Sequence, residues 1–370
     1  MAGAASQNKQ AHRSPTMQDV ALDAGVSRAL VSLVMRGQPN VSEERRLRVL
    51  EAARRLGYRP NAMARSLASR RTRTVGVLLD DLANPFFAEI VGGVEQVASE
   101  AGYQLLLGTG SLRQRRESEA LETLLEYRPD GIILVSPRMA AADIVRAADE
   151  VPLVLVAREI RGADADLVIT DDRHGIELVL DHLVGLGHQR IAHVDAGRGA
   201  GAPLRRSSYL RGMKKRGLGQ YASTIGGDYT EEAGVRAARA LIEDGDLPTA
   251  VFAANDMIAA GLLGVFDQAG VEVPDDVSIV GYDNVYIAHM AHVSLTTINQ
   301  PRVQMGRLAL ELLLDRIETA RDPVVRRLEP TLVVRSTTAP PRRRQAKMVR
   351  SRPDFGDHVG RQSHPGGRRR

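Results

Sequence analysis

Eight short, continuous apolar runs punctuate the chain from Thr74 onward, and they restrict the fold more than any other feature. They lie at Val75–Leu79, Gln104–Leu107, Ile132–Val135, Leu153–Val156, Leu167–Ile169, Ile191–Val194, Ala250–Ala253 and Val277–Val280. Helical stretches separate them at Phe86–Ala101, Arg115–Tyr127, Gly175–Leu186, Ser207–Arg216, Glu231–Glu243, Ile258–Ala269 and Val303–Ile317. A strand that is apolar on both faces must be covered on both, so this alternation predicts parallel sheets flanked by helices. Roughly 265 residues of such repeats exceed one comfortable core, which predicts two doubly wound lobes.

The first 60 residues follow a different pattern. Thr16 stands three residues before Asp19, the spacing of a capping box. Val20, Ala21 and Ala24 form an apolar stripe at helical spacing, and Gly25 ends that helix. Val26 plugs the corner, Ser27 caps a second helix, and Val31 and Val34 are its buried face. Ser42 caps a third helix with Glu43 and Glu44 at its positive end; Leu47, Leu50, Ala53 and Leu56 are its expected inner stripe, closed by Gly57. Two short helices around a glycine turn make a helix-turn-helix, whose second helix enters the DNA major groove.

Charge divides the chain in the same way. Residues 1–73 hold 14 Lys/Arg against 5 Asp/Glu, and residues 340–370 hold 10 against 2, so a formal net charge of +5 conceals −12 on the segment between. A basic head on an acidic body suits DNA contact confined to one end. Residues 1–14 and the Arg-rich 340–370 lack apolar periodicity and are expected to be disordered; a helper role for the tail in nonspecific phosphate contact stays open. Cysteine is absent, which removes disulfides and thiolate metal sites. No apolar run reaches the roughly 20 residues of a membrane span, so a cytoplasmic protein is expected.

After Tyr58-Arg59-Pro60 comes Asn61-Ala62-Met63-Ala64-Arg65-Ser66-Leu67-Ala68, a possible helix too short to be stable alone. The segments DVALDAGVS, VSEERRLRVLEAARRLGYRPN and ARSLA resemble the lactose-repressor (LacI/GalR) family of bacterial transcription regulators. The resemblance covers residues 16–339. It implies an α/β protein in which an all-α helix-turn-helix head (residues 15–60) and a hinge helix with its linker (61–73) join a two-lobed periplasmic-binding-protein-like core (74–339). By the same analogy the chain crosses between lobes near Thr170, near Leu295–Thr297 and near Ile317–Asp322. That gives an N-lobe of about 74–170 and 297–317 and a C-lobe of about 171–296 and 318–339. In the family the hinge helix folds on operator DNA and its leucine, here Leu67, wedges into the minor groove. The DNA-contacting set so implied is Thr16, Ser27, Arg28, Ala29, Ser32, Asn61, Arg65, Ser66 and Leu67. Arg28 can chelate a guanine or sit on a phosphate, Ala29 can meet a thymine methyl, and Ser27 and Ser32 suit phosphate.

Ligands of open α/β sheets bind beyond the carboxyl ends of the strands. Asn84-Pro85-Phe86-Phe87, Asn255-Asp256 and Gly281-Tyr282-Asp283-Asn284 follow strand ends, and Arg205 follows Ile191–Val194 at a helix start. In the family such positions line the effector pocket. The implied set is Phe86 and Phe87 stacking on the ligand, Arg158, Arg205 and Asp283 gripping polar groups, and Asn255 adding a hydrogen bond. This set suits a sugar or other polyol, with a nucleobase as a further possibility. Plainer readings exist for some of these: one Phe belongs to the core, and Asn255 is only a helix cap.

Two departures stand out. Leu30, Leu33 and Met35-Arg36 occupy recognition-helix positions where the family commonly has Thr, a polar residue and Leu-Asn, so an unusual operator is expected. Ala157-Arg158 replaces a frequent Asp-Arg pair and removes one hydroxyl acceptor. The body carries no catalytic motif: Arg113 breaks a dinucleotide fingerprint begun at Gly108-Thr109-Gly110, and His289 and His292 lack an intervening Glu. The expectation is a homodimeric, ligand-controlled repressor of double-stranded operator DNA, with no cofactor or metal. The competing classes are a solute-sensing module with a degenerate head and an architectural nucleoid protein.

Overall fold

The computed structural model describes residues 15–35, 38–58 and 71–342. The chain divides into two units, Met1–Arg73 and Thr74–Arg370.

The first unit contains helices α1 (Met17–Ala24), α2 (Arg28–Met35) and α3 (Glu43–Leu56). The Thr16 hydroxyl accepts from the Asp19 amide at 3.4 Å, and the Asp19 carboxylate accepts from the Thr16 amide at 2.7 Å. Gly25, at φ 64°, turns the chain where a side chain would strain it. The Ser27 hydroxyl then accepts from the Leu30 amide at 3.2 Å. Val20, Ala21, Ala24, Val31 and Val34 are buried together with Val49, Ala52 and Ala53. Here the structure corrects the expected stripe of α3, because Leu47 and Leu50 are 51% and 45% exposed. Val49, Ala52, Ala53 and half-buried Leu56 follow the i, i+3, i+4, i+7 rule, and that register turns Leu47 and Leu50 outward. Ser42 precedes α3 without a side-chain cap; its backbone carbonyl accepts from the Arg46 amide.

The second unit contains two six-stranded sheets. Its strands are β1 (Thr74–Leu79), β2 (Gln104–Thr109), β3 (Gly131–Val135), β4 (Leu153–Val156), β5 (Asp166–Thr170), β6 (Ile191–Val194), β7 (Ser223–Ile225), β8 (Ala250–Ala253), β9 (Ser278–Asp283), β10 (Thr296–Asn299), β11 (Val325–Leu328) and β12 (Thr331–Val333). Its helices are α4 (Pro85–Ala101), α5 (Gln114–Glu126), α6 (Ala141–Glu150), α7 (Asp172–Gly185), α8 (Ala202–Lys215), α9 (Glu231–Asp244), α10 (Asp256–Gln268), α11 (Tyr286–His289) and α12 (Arg302–Glu318). The N-lobe sheet runs β11-β5-β4-β3-β1-β2, all parallel. The C-lobe sheet runs β12-β10-β9-β8-β6-β7, parallel except for β12.

Sheet membership moves two of the expected lobe crossings. β10 pairs with β9, so the chain leaves the C-lobe sheet after Asn299 rather than at Leu295–Thr297. β11 pairs with β5, so the last crossing falls between Leu328 and Thr331 rather than at 317–322. The shift comes from edge strands with little apolar content: β11 reads Val-Arg-Arg-Leu and is largely exposed. Helix α12 stays with the N-lobe, where Met305, Ala309, Leu310 and Leu313 pack against Val75, Val77, Ile133 and Val154. It crosses α4 so closely that a Cβ on Gly306 would overlap the Ile90 carbonyl oxygen and one on Gly93 the Val303 carbonyl oxygen. Gly234 and Gly261 do the same where α9 meets α10.

Candidate ligand cleft and DNA-facing residues

All three crossings join carboxyl ends of the two sheets. β5 and β11 are parallel and leave the N-lobe sheet together, β10 leaves the C-lobe sheet at Asn299, and β12 enters it opposite Asn299. The carboxyl ends therefore face one another across a cleft, the place where open α/β sheets bind ligands. Non-glycine residues with positive φ gather there: Ser136 (54°) after β3, Ala157 (64°) after β4, and Asp283 (111°) and Asn284 (58°) at the end of β9. Such conformations cost on the order of 1–3 kcal/mol each and mark places where side-chain direction matters more than backbone ease.

On the C-lobe wall Arg205 projects from the first turn of α8. Its Nε donates to Asp172 Oδ1 at 3.1 Å and its Nη1 to the Ala254 carbonyl at 2.8 Å. The guanidinium carbon lies 3.9 Å from the centroid of the Tyr282 ring and 5.9 Å from that of Tyr229. The Tyr282 hydroxyl donates to the same Asp172 Oδ1 at 2.7 Å. A side chain on Gly175 would collide with that hydroxyl, so the start of α7 must be glycine at this point. Burial alone lowers the Arg205 pKa, but the charge of Asp172, with smaller contributions from Tyr229, Tyr282 and Asp283, outweighs it and holds the group well above its ordinary value. Asp283 accepts from Gln300 Nε2 at 2.6 Å, and burial pushes its carboxyl up to about 6 against the opposing pull of Arg205. Arg205 and Asp283 thus influence each other electrostatically without an ion pair between them. Beneath them Asp256 accepts from the Thr297 hydroxyl at 2.6 Å and the Val285 amide at 2.8 Å.

Asn255 is fully buried. Its Oδ1 accepts from the Ile258 amide at 2.9 Å and its Nδ2 donates to the Tyr229 carbonyl at 3.1 Å, so it caps α10 and ties down the loop bearing Tyr229. Phe86 and Phe87 form an edge-to-face pair with centroids 5.4 Å apart, 6% and 5% exposed. Both belong to the buried N-lobe cluster that includes Val285. Arg158, half-buried after β4, donates through Nη1 to the Pro137 and Met139 carbonyls, the latter at 3.2 Å.

Several polar groups of the cleft were not anticipated. Asp80, after β1, receives both hydrogen bonds of the Arg138 Nε at 2.8 and 2.7 Å. Glu117 Oε2 accepts from the Arg138 and Met139 amides at 2.7 and 2.6 Å, and burial pushes its carboxyl up to about 7. Asp80, Arg138 and Asp172 lie within three residues of the carboxyl ends of β1, β3 and β5, where the strand-end rule reaches them. Tyr229 follows the exposed strand β7, whose polar Ser-Thr-Ile sequence gives no strand signal.

On the first unit Ser27, Arg28 and Ala29 are exposed at the start of α2, and Ser32 is half-buried one turn later. Thr16 is engaged in its capping box. The sites expected at Asn61, Arg65, Ser66 and Leu67 lie outside the described residues. Among those described, no helix is long and apolar enough to cross a membrane.

Comparisons with known proteins agree with both units. Residues 16–61 match the family described as bacterial regulatory proteins, lacI family, and residues 180–338 match the periplasmic binding protein-like domain. The chain is 34% identical over 330 residues to the HTH-type transcriptional regulator GalR of Escherichia coli strain K12, covering 88% of this chain and 96% of that protein. A crystal structure of the lac repressor dimer bound to operator and the anti-inducer ONPF superposes with a TM-score of 0.78 at 27% identity, covering 88% of this chain and all of that one. The complex of the transcriptional regulator CelR with cellobiose gives a TM-score of 0.64 at 35% identity over 87% of this chain and 99% of that one.

Proposed function

Since this chain belongs to the lacI family of bacterial regulatory proteins, whose members are DNA-binding transcription regulators, we propose that it is a repressor whose operator affinity is set by a small polyol in the interlobe cleft. The observation that carries this reading is a pair of buried, oppositely charged groups on the C-lobe wall, Arg205 and Asp283, that influence each other without an ion pair between them. Arg205 is locked in place by Asp172, the Ala254 carbonyl and the Tyr282 ring, and Asp283 is locked by Gln300. A preorganised donor near a preorganised acceptor suits vicinal hydroxyls and loses little entropy on binding. The cellobiose in the CelR complex is a ligand of the same chemical kind.

Two chains as a symmetric homodimer would present two α2 helices to half-sites of a near-palindrome; the lac repressor in the structure compared above is likewise a dimer bound to operator. Ser27, Arg28, Ala29 and Ser32 then meet phosphates and base edges, while Asn61, Arg65, Ser66 and Leu67 engage the minor groove at the centre. A pyrimidine–purine centre is expected because such steps kink at low cost. Effector in the cleft changes the angle between lobes, and that change biases the hinge segment toward or away from its DNA-bound form. The test is a thermal-shift and calorimetric survey of aldoses, polyols and nucleobases against the full chain. A true effector at 100 times its dissociation constant adds about 2.7 kcal/mol of stability, and Arg205→Gln should abolish that gain. Stabilisation by a nucleobase alone, with no polyol active, would overturn the polyol assignment.

A further inference from the structure

Arginines Arg138, Arg158, Arg205 and Arg302 stand where the lobes meet, and one of them differs from the rest. Arg138 has Asp80 at 2.7 Å, Arg205 has Asp172 at 3.1 Å, and Arg302 has Glu89 at 2.9 Å. Arg158 has no carboxylate at ion-pair distance among the described residues; backbone carbonyls of Pro137 and Met139 hold it through Nη1 alone. Its Nε and Nη2 are neither hydrogen-bonded nor sealed from solvent. The neighbouring carboxyl, Glu117, has one oxygen committed to the Arg138 and Met139 amides. Burial lowers the Arg158 pKa, with Glu117 acting in the opposite sense, so the cation is partly desolvated. The left-handed turn at Ala157 (φ 64°) aims the residue from the end of β4 toward the β3 loop, at the carboxyl-end face of the N-lobe sheet.

We propose that Arg158 is an anion subsite and that the effector is a polyol carrying one anionic group, a carboxylate or a phosphate. This rests on the polyol reading of the cleft. Hydroxyls lie between Arg205 and Asp283 on the C-lobe wall, and the anion meets the open fork of Arg158 on the N-lobe wall. A fixed guanidinium with two free N–H groups forms charge-assisted bonds roughly twice as strong as neutral ones, and leaving it unmatched in a closed cleft is costly. One ligand contacting both walls by different chemistry would also couple occupancy to lobe closure.

The experiment is calorimetric titration of the full chain with matched sets: glucose, gluconate and glucose 6-phosphate, then ribose, ribonate and ribose 5-phosphate. In at least one set an anionic member should bind about tenfold or more tighter than its neutral parent, and whether it is the acid or the phosphate tells the two sources apart. Arg158→Gln should cost the anionic member about tenfold or more beyond whatever it costs the neutral parent, removing that preference; Arg158→Lys should keep part of it. A neutral sugar binding as tightly as its anionic counterparts would overturn the proposal and leave the polyol reading intact. Equal losses for neutral and anionic ligands in Arg158→Gln would make the residue a loop support and also overturn it. Binding of no member of either set would remove the polyol reading and this proposal together.

Discussion

The Arg205 guanidinium carbon sits over the Tyr282 ring, 3.9 Å from its centroid, and both residues bond to one oxygen of Asp172. Tyr282 is fully buried, so it serves as a bed that fixes where Arg205 points. Tyr282→Phe keeps the bed and deletes the 2.7 Å hydroxyl bond to Asp172. We expect a stability loss of about 1 kcal/mol and a several-fold weaker effector affinity. Tyr282→Leu also deletes the cation–π contact and leaves a void, with an expected loss of about 3 kcal/mol. Urea midpoints and calorimetric titration measure both.

Asp283 predicts a pH dependence. Its pKa of about 6 lies above the ordinary 3.8, because burial disfavours the ionised form. The fold therefore carries a cost for this group above pH 6, on the order of 1–3 kcal/mol, which is relieved as pH falls through 6 toward 3.8. Effector binding has the opposite preference, since the ionised carboxylate is the hydroxyl acceptor. Affinity for a neutral polyol should fall as pH drops below about 6, and Asp283→Asn should bind weakly at every pH while being more stable than the parent above pH 7. A wild-type affinity that is flat from pH 5 to pH 8, as those titrations would reveal, contradicts the assigned role.

The α4–α12 crossing predicts a sharp contrast between glycines. Gly306→Ala pushes a methyl group into the Ile90 carbonyl and should cost at least about 2 kcal/mol, because backbone cannot move aside as a flexible side chain can. Gly92→Ala, on α4 with open space around it, should be neutral or stabilise by up to about 1 kcal/mol. Thermal denaturation of the two variants provides the comparison.

Arg28 distinguishes two kinds of DNA contact. If it chelates a guanine, Arg28→Ala should cost about 1–3 kcal/mol and relax specificity at one position of each half-site; on a phosphate it should weaken binding evenly and flatten the salt dependence. Its exposure at the start of α2 makes the guanine contact our expectation. Binding measured across single-base operator variants decides between them.

Much of the fold could be read from short-range pattern. The buried strands β1, β3, β4, β6 and β8 announce themselves because parallel-sheet interiors demand continuous apolar runs. The capping box at Thr16 and the turn at Gly25 are local chemistry and therefore legible. Edge strands such as β7 and β11 owe their conformation to a neighbour rather than to their own residues, and the lobe crossings move with them. In the cleft, Arg205 and Asp283 follow from the strand-end rule joined to the family resemblance. The Asp80–Arg138 pair spans 58 residues and depends on β1 lying beside β3, an adjacency that no local pattern encodes. Phe86 and Phe87 show the reverse: aromatic rings beside a strand end are as suited to filling a core as to stacking on a ligand, and their pattern alone does not separate the two.

A repressor of this kind binds DNA sequence-specifically and as a symmetric pair. Selection of duplexes from a randomised pool by the full chain at about 150 mM salt tests it most directly, because nonspecific phosphate binding is weak there. The expected result is enrichment of a near-palindrome with two half-sites about one helical turn apart around a pyrimidine–purine step, with the enriched duplex losing most of its affinity for Leu67→Gly. Recovery of sequences with no repeated motif, or binding that Leu67→Gly leaves unchanged, would contradict it.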